Sequence, residues 1–520
     1  MFRAGRSSLY QMTISRLITR ITLLLLVGGL VLSGSRDFDL KDTRSTTRAV
    51  GADYSFEDVT GEMGLADATR TWGSTWNDFD EDGKPDLWVG RHWRQPRLFR
   101  NVAATRFEEI SDDDFRLAAV DRHACVWGEA NGDGEADLYC VRGADMGKGS
   151  GANQLFVSTP NGFKNRAFGN GVSNPNGRGR TANWLDYDSD GDLDLFVGNL
   201  TRAGFPNAMF RNDGEIFTQV VVGLEHELST VSSSWADWDL DGDPDLLVLQ
   251  HSGRPAVAYE NVGGAFRMAR LANVSGRHWS SGAWGDYDGD GRPDLHLVSP
   301  SASWVLRNTP SGFEVANRLT LIRGRMSTWL DVDNDTDLDL FVVQGAAAKR
   351  PAPNLVNRPD FLVLNTREGF KKLEGESFRG PKVGNGDAVS AADYDRDGRI
   401  DLFTTNGLFY YRGPNALLHN RSAAGNWLGL DLDGTAKNPM GFGAEVIVRI
   451  GDRTIHRQVT DQANYRSQNE PGYVHVGLDD AIAVQIEVRW PNGERDCLAS
   501  PANAVLSVLQ GATPCGLQRN

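Results

Sequence analysis

A chain of 520 residues with a formal net charge of -15, 40% hydrophobic residues, 58 glycines and 14 tryptophans is too long for one ordinary compact domain and too apolar for a disordered one. Its acidity excludes nucleic acid as the natural partner, because neutralising phosphates needs a basic face. Cations are the better match.

The first 35 residues carry Arg3, Arg6, Arg16 and Arg20, no acid, the apolar run Ile21 to Leu32, and then Ser33, Gly34 and Ser35. That basic, apolar, small-residue order is the pattern of a secretory signal. The run is shorter than the roughly 20 residues of a membrane-spanning helix. Residues 1–35 are therefore predicted to be a signal and 36–52 a polar linker. This places the protein in a secreted, periplasmic or cell-surface location, without a membrane span once the signal is removed.

From Asp78 onward the pattern D-x-D-x-D-G-x-x-D-L recurs seven times, its first positions being Asp78, Glu129, Asp186, Asp237, Asp286, Asp331 and Asp393. The spacings of 51, 57, 51, 49, 45 and 62 residues are blade-sized. A tryptophan precedes the first acid by two residues in six copies (Trp76, Trp127, Trp184, Trp235, Trp284, Trp329), and Ala391 takes its place in the seventh. Each loop leads into a β-type run opening with Leu or Ile-Asp-Leu, then an apolar strand ending in Asn in most copies, then a strand opening at Phe. Four strands per repeat make a propeller blade. The Phe strands begin at Phe56, Phe107, Phe163, Phe217, Phe266, Phe313 and Phe370. The first therefore precedes every loop and the last repeat lacks one, so residues 56–60 are predicted to close the ring as the outer strand of the last blade. The expected fold is all-β: a seven-bladed β-propeller over 53–421 with calcium-binding hairpin loops, a small β-rich domain over 422–513, and a tail over 514–520.

Calcium takes six to eight oxygens at loosely set angles, and a tight turn with alternate carboxylates can aim several at one centre. Loop positions 1, 3, 5 and 9 are the predicted ligands. Five sets are regular: Asp78, Asp80, Asp82 and Asp86; Asp186, Asp188, Asp190 and Asp194; Asp237, Asp239, Asp241 and Asp245; Asp286, Asp288, Asp290 and Asp294; and Asp393, Asp395, Asp397 and Asp401. The second loop, with Glu129, Asn131, Asp133 and Asp137, has a longer first side chain and one charge fewer. The sixth keeps Asp331, Asp333, Asp335 and Asp339 but has Thr336 where the turn asks for glycine. These two are expected to be the weakest sites. Up to seven structural Ca2+ would bring the formal charge from -15 to -1.

The four cysteines fit an oxidising compartment. Cys125 and Cys140 flank the second acidic loop, and Cys497 and Cys515 lie near the C-terminus. Three pairings are open, and one local bridge per region is preferred.

On the face opposite the acidic loops, the turns entering the inner strands are rich in Arg and His. A ring of Trp72, His123, Arg180, Val231, Ser280, Arg325 and Asp387 is expected at the channel mouth, with Arg91-His92-Trp93-Arg94, Arg254 and Tyr410-Tyr411-Arg412 beside it. Guanidinium forks and aromatic faces suit carboxylated sugars or an acidic protein surface. No G-x-S-x-G, H-E-x-x-H or P-loop occurs.

The acidic loops and their flanking strands resemble FG-GAP or VCBS repeats of integrin-type propellers over about 56–420. The resemblance implies calcium-stabilised blades used for adhesion, matrix contact or ligand display, with no common catalytic residue. Beyond Ala423, Asn426-Trp427-Leu428, Gly441-Phe442-Gly443-Ala444, Ser467-Gln468, His475-Val476-Gly477-Leu478 and Trp490-Pro491-Asn492-Gly493 resemble an ASPIC and UnbV domain, with Gln462, Ala463 and Asn464 replacing the glycines expected before Ser467. The combination resembles a bacterial family of cartilage acidic protein-like chains. The function expected is an exported calcium-binding propeller that binds, adheres or acts as a scaffold, its partner an extracellular or periplasmic protein or an acidic glycan. The alternative is a lyase or hydrolase on acidic glycans, with His123 or Tyr410 as proton carrier.

Overall fold

A computed structural model describes residues 54–516 apart from 111–118, 145–148, 201–204, 215, 226–227, 252, 273, 275–277, 322, 347–355, 374, 376–377, 379 and 408–411. The expected signal, linker and last tail residues, with Tyr410 and Tyr411, lie outside the described residues. Among those described there is no helix.

Seven antiparallel sheets, each containing four blade strands, form the propeller. Their inner strands are Thr71–Asn77, Arg122–Gly128, Gly179–Leu185, Thr230–Ala236, Ser281–Gly285, Gly324–Leu330 and Ala388–Ala392. Each packs beside the next, and the seventh returns to the first. Closure follows the Phe pattern: Phe56–Asp58 pairs antiparallel with Ala416–Asn420, Phe56 lying opposite Asn420. The open edge that an unclosed array would expose is thus covered.

The repeated tryptophans explain how blades hold together. Trp76, Trp127 and Trp184 are fully buried between sheets. The indole of Trp184 donates to Val126 O at 3.3 Å, Trp235 to Trp184 O at 2.9 Å and Trp329 to Ala283 O at 3.1 Å, each reaching the preceding blade. Gly128 is required by this contact, because a Cβ there would stand 2.4 Å from the Trp184 ring. The repeated Asn at the end of the third strand makes a second latch. Asn261 Nδ2 donates to Tyr187 O, Asn308 to Trp238 O, Asn365 to Tyr287 O, Asn420 to Val332 O and Asn101 to Tyr394 O, in each case from one blade to the acidic loop of the blade before it.

The C-terminal region folds as two sheets. In one, Asn426–Asp433 lies between Tyr473–Asp479 and, in parallel, Ala504–Leu509; the other runs Arg453–Gln458, Glu445–Ile450, Ala483–Arg489, Arg495–Pro501. Arg453–Gln458 and Arg495–Pro501 are strands that alternation did not reveal, because the first is mostly polar and the second largely exposed. Cys125 is bonded to Cys140, its cross-strand partner, and Cys497 to Cys515. The second bridge, with the Asp496–Pro514 pairing, fixes residues that the sequence reading assigned to the tail.

Candidate functional site

Each acidic loop joins an inner strand to the second strand of its blade, so position 9 is the second strand's first residue. That carboxylate organises the blade. Asp86 Oδ1 accepts from Asn101 N at 2.7 Å and Oδ2 from Phe79 N at 3.2 Å; Asp194 and Asp245 repeat both bonds. Position 1 wraps the turn: Asp78 accepts from Asp82 N and Gly83 N, Asp186 from Asp190 N and Gly191 N. Two backbone positions are left-handed in all seven loops. Position 6 was expected; position 4 (Glu81, Gly132, Ser189, Leu240, Gly289, Asn334, Arg396) was not, since only two of the seven are glycine.

The turn thereby gathers its carboxylates. Asp78, Asp80 and Asp86; Asp186, Asp188 and Asp194; Asp237, Asp239 and Asp245; and Asp286, Asp288 and Asp290 each bring ligand oxygens within 4.8 Å of one another. Burial raises Asp86, Asp194 and Asp245 to about 9 and Asp78 to about 7, with neighbouring acids adding to the rise. Buried like charges at such spacing require protons or a cation. The fit to a hard dication is tested by the buried oxygens: Asp393 Oδ1, Asp395 Oδ1, Asp401 Oδ2 and Asp188 Oδ1 have no hydrogen-bond partner. All-oxygen sets such as that of Asp186, Asp188 and Asp194 fit calcium, which would be held by positions 1, 3, 5 and 9.

The two compromised loops differ as their residues dictate. Asn131 turns its amide to Asp133 Oδ2 at 3.0 Å, while Glu129 Oε1 accepts from Asn131 N and Gly132 N. Thr336 does adopt a left-handed φ of 85°, and Arg453 Nη1 bonds its hydroxyl at 3.1 Å. A β-branched residue there costs about 1–2 kcal/mol. The variant T336G is expected to raise the melting temperature by a few degrees in calorimetry; an unchanged or lower value would show that the Arg453 bond outweighs the strain.

Sequence reasoning did not anticipate what covers these loops. Domain residues 427–480 sit over loops six and seven: His475 Nε2 lies 3.0 Å from Gly398 O, Asp479 N donates to Asn334 O at 2.8 Å, and Arg396 forms a bidentate pair with Glu470. A Cβ at Gly398 would meet the Trp427 ring at 1.9 Å. Arg457 is half-buried near Asp286, Asp331 and Asp337, which counter the depression that burial imposes on its guanidinium.

The turn with Gln462, Ala463 and Asn464 is a plug. Residues 461–469 run through the propeller channel and touch the inner strand of every blade. Ser467 Oγ accepts from Ser74 N; Gln468 bonds Thr75, Trp127 N and Trp127 O; Asp461 accepts from Trp184 N; Tyr465 N donates to Ser232 Oγ; Asn464 Oδ1 accepts from Gly282 N; and Asn469 bonds Thr328 and Ala391 N. Gln462 and Tyr465 take positive φ to make this path.

The plug corrects the expected channel-mouth ring. Asp387 is fully buried, and Arg466 Nη1 holds its two oxygens at 2.9 and 2.8 Å. Trp72 is stacked on His92 at 3.8 Å, with the Arg466 guanidinium 4.2 Å from its ring. His123 is buried, its Nε2 lying 3.3 Å from Asp121 Oδ1, to which His92 Nε2 also binds at 2.8 Å. Burial and Arg180 hold His123 well below its usual range, and its ring is enclosed rather than open at a channel mouth. Of the seven expected ring residues, only Arg180, Val231 and Arg325 remain partly exposed. Beside the ring, a cleft is lined by Arg70, Arg91, His92, Trp93, Arg94 and Arg412. Its loop is built rather than loose: His92 N donates to Arg70 O at 2.8 Å, Arg94 bridges to Val120, and Trp93 is held at a φ of 61°.

The model of the FG-GAP-like repeat matches residues 78–140, 186–248, 237–297 and 286–342, and that of ASPIC and UnbV matches 434–514. Cartilage acidic protein 1 of Mus musculus is 27% identical over 34% of this chain and 28% of its own length. The Homo sapiens protein is 27% identical over 34% of this chain and 27% of its length. The chain therefore spans under a third of either relative. Among solved structures, an Agrocybe aegerita lectin that recognises non-reducing terminal N-acetylglucosamine is similar at 14% identity, covering 64% of this chain and 89% of that one, with a TM-score of 0.41. BBS1N in complex with ARL6DN is similar at 11% identity, covering 72% and 99%, with a TM-score of 0.44.

Proposed function

We propose that this chain, which carries FG-GAP-like repeats and an ASPIC and UnbV domain, is an exported calcium-braced binding or scaffold protein. Calcium at the hairpin loops pins the blades, and the partner docks on the opposite face. The two disulfides and the basic-apolar-small N-terminal segment support export.

One observation carries the partner's chemistry: the fixed cleft of Arg70, Arg91, Arg94 and Arg412 beside Trp93, in a protein of net charge -15. Asp67 accepts from Arg91 Nε at 3.1 Å, which orients one guanidinium, while Arg94 and Arg412 are exposed. Forked donors next to an aromatic face suit a carboxylated surface, an acidic glycan or an acidic protein segment. Binding of the calcium-loaded protein to immobilised uronate polymers and acidic proteins tests this. The R94A/R412A variant is expected to lose at least tenfold in affinity for whichever is bound, about 1.4 kcal/mol. Unchanged affinity would remove the cleft from the reading.

A further inference from the structure

The seventh loop differs from the other six in one donor. The residue before the third-strand Asn lies against the acidic loop. In the first and fifth blades it is an exposed arginine, Arg100 at 2.7 Å from Asp80 and Arg307 at 2.6 Å from Asp288. In the seventh it is His419, which is 4% exposed. Ligand atoms of His419, Asp395 and Asp401 lie within 4.8 Å of one another. Asp401 is fully buried; its Oδ1 accepts from Asn420 N at 2.7 Å, while Oδ2 has no partner. Asp395 Oδ1 and Asp393 Oδ1 are likewise buried without partners.

His419 is not a substitute for the arginines. Its Nε2 stands 3.3 Å from Asp395 Oδ2 and 3.5 Å from Asp397 Oδ2, longer than the roughly 2.8 Å of a charge-assisted bond. Asp397 is already paired with Arg399, which also donates to Asn420 O at 2.9 Å. Asp82 of the first loop is paired with Lys84 in the same way, so position 5 does not set the seventh loop apart; the buried imidazole does. Tyr394 Oη lies 3.4 Å from His419 Nδ1, on the side of the ring away from the acids, which is the place of an outer partner that orients a metal-binding histidine.

We propose that the seventh loop, unlike the other six, is a mixed nitrogen and oxygen site for a first-row transition dication, zinc above all, held by Asp395, Asp401 and His419. Calcium takes six to eight oxygens, whereas a small set of carboxylates with one imidazole suits zinc, with water completing the shell. The inference rests on reading the hairpin loops as metal sites. The covering contacts of His475 and Trp427 at Gly398 close this loop from above, so the ion would exchange slowly.

The test loads the full-length protein with calcium, adds zinc in slight excess, desalts it and counts both metals by mass spectrometry. One zinc per chain is expected in the wild type, absent or bound at least tenfold more weakly in H419Q. Cobalt loading should give a visible d–d band that H419Q lacks. Y394F, which keeps the histidine and removes its orienting partner, is expected to weaken zinc about tenfold, so the result does not depend on H419Q folding. No zinc in the wild type, or zinc held equally by both variants, would overturn the assignment. If calcium is bound at the other loops in that same count, only this inference fails and the calcium reading stands.

Discussion

Chelating the calcium-loaded protein should lower its melting temperature by at least about 15 °C at pH 8 and by much less at pH 5. A site saturated a hundredfold above its Kd stabilises by about 2.7 kcal/mol, and several loops share the effect. The pH term comes from the emptied loops. Burial raises Asp86, Asp194 and Asp245 from 3.8 to about 9, and Glu129 from 4.5 to about 7. A carboxyl whose pKa is higher folded than unfolded contributes stability that is fully present below the unfolded value and is lost as pH rises through the folded one. The chelated protein should therefore melt progressively lower between pH 4 and 9. The calcium-loaded protein, whose carboxylates are ionised and bound to the ion, should not follow it. Differential scanning calorimetry across that range decides the matter: parallel curves with and without chelator would sink the calcium loops as the fold's braces.

What the sequence disclosed and what it hid divide along a physical line. Features set by one repeat, copied seven times, were legible: the alternate acids, the glycine at position 6, the tryptophan two residues ahead, and the displaced Phe56 strand that closes the ring. Features that depend on which residue meets which across the fold were not. His419 stood in the sequence as one scattered histidine. Its role emerges only when the residue before each third-strand Asn is compared across repeats, where Arg100, Arg211, Glu260 and Arg307 occupy the same place. The left-handed backbone at position 4 was hidden because Glu81, Leu240 and Arg396 carry no signal for it. The plug was hidden for a different reason. Its polar residues Asn464, Arg466 and Gln468 resemble a surface turn, and only the surrounding inner strands make them interior.

The plug supplies the other large effect. Arg466 and Asp387 form a hydrogen-bonded ion pair inside the channel, with relative exposures of 9% and 0%. Removing one member of such a pair costs about 3–5 kcal/mol, because the partner charge stays buried without compensation. R466A should therefore be strongly destabilised in denaturant unfolding monitored by tryptophan fluorescence, more so than alanine at exposed Arg100 or Arg307. Replacing both members with apolar residues, as in R466M/D387L, should recover most of the loss, since the desolvation of two charges is removed together. The pair also separates a seated plug from a loose one. The C-terminal domain has independent holds on the rim through Arg396–Glu470 and through Trp427 over Gly398. R466A should accordingly become sensitive to proteolysis within 460–470 while the domain stays attached, and the lost fluorescence of Trp72, whose ring carries the Arg466 guanidinium at 4.2 Å, should report the same opening. Stability equal to that of the wild type, with 460–470 still protected, would mean that the other contacts of 461–469 seat the plug without the ion pair.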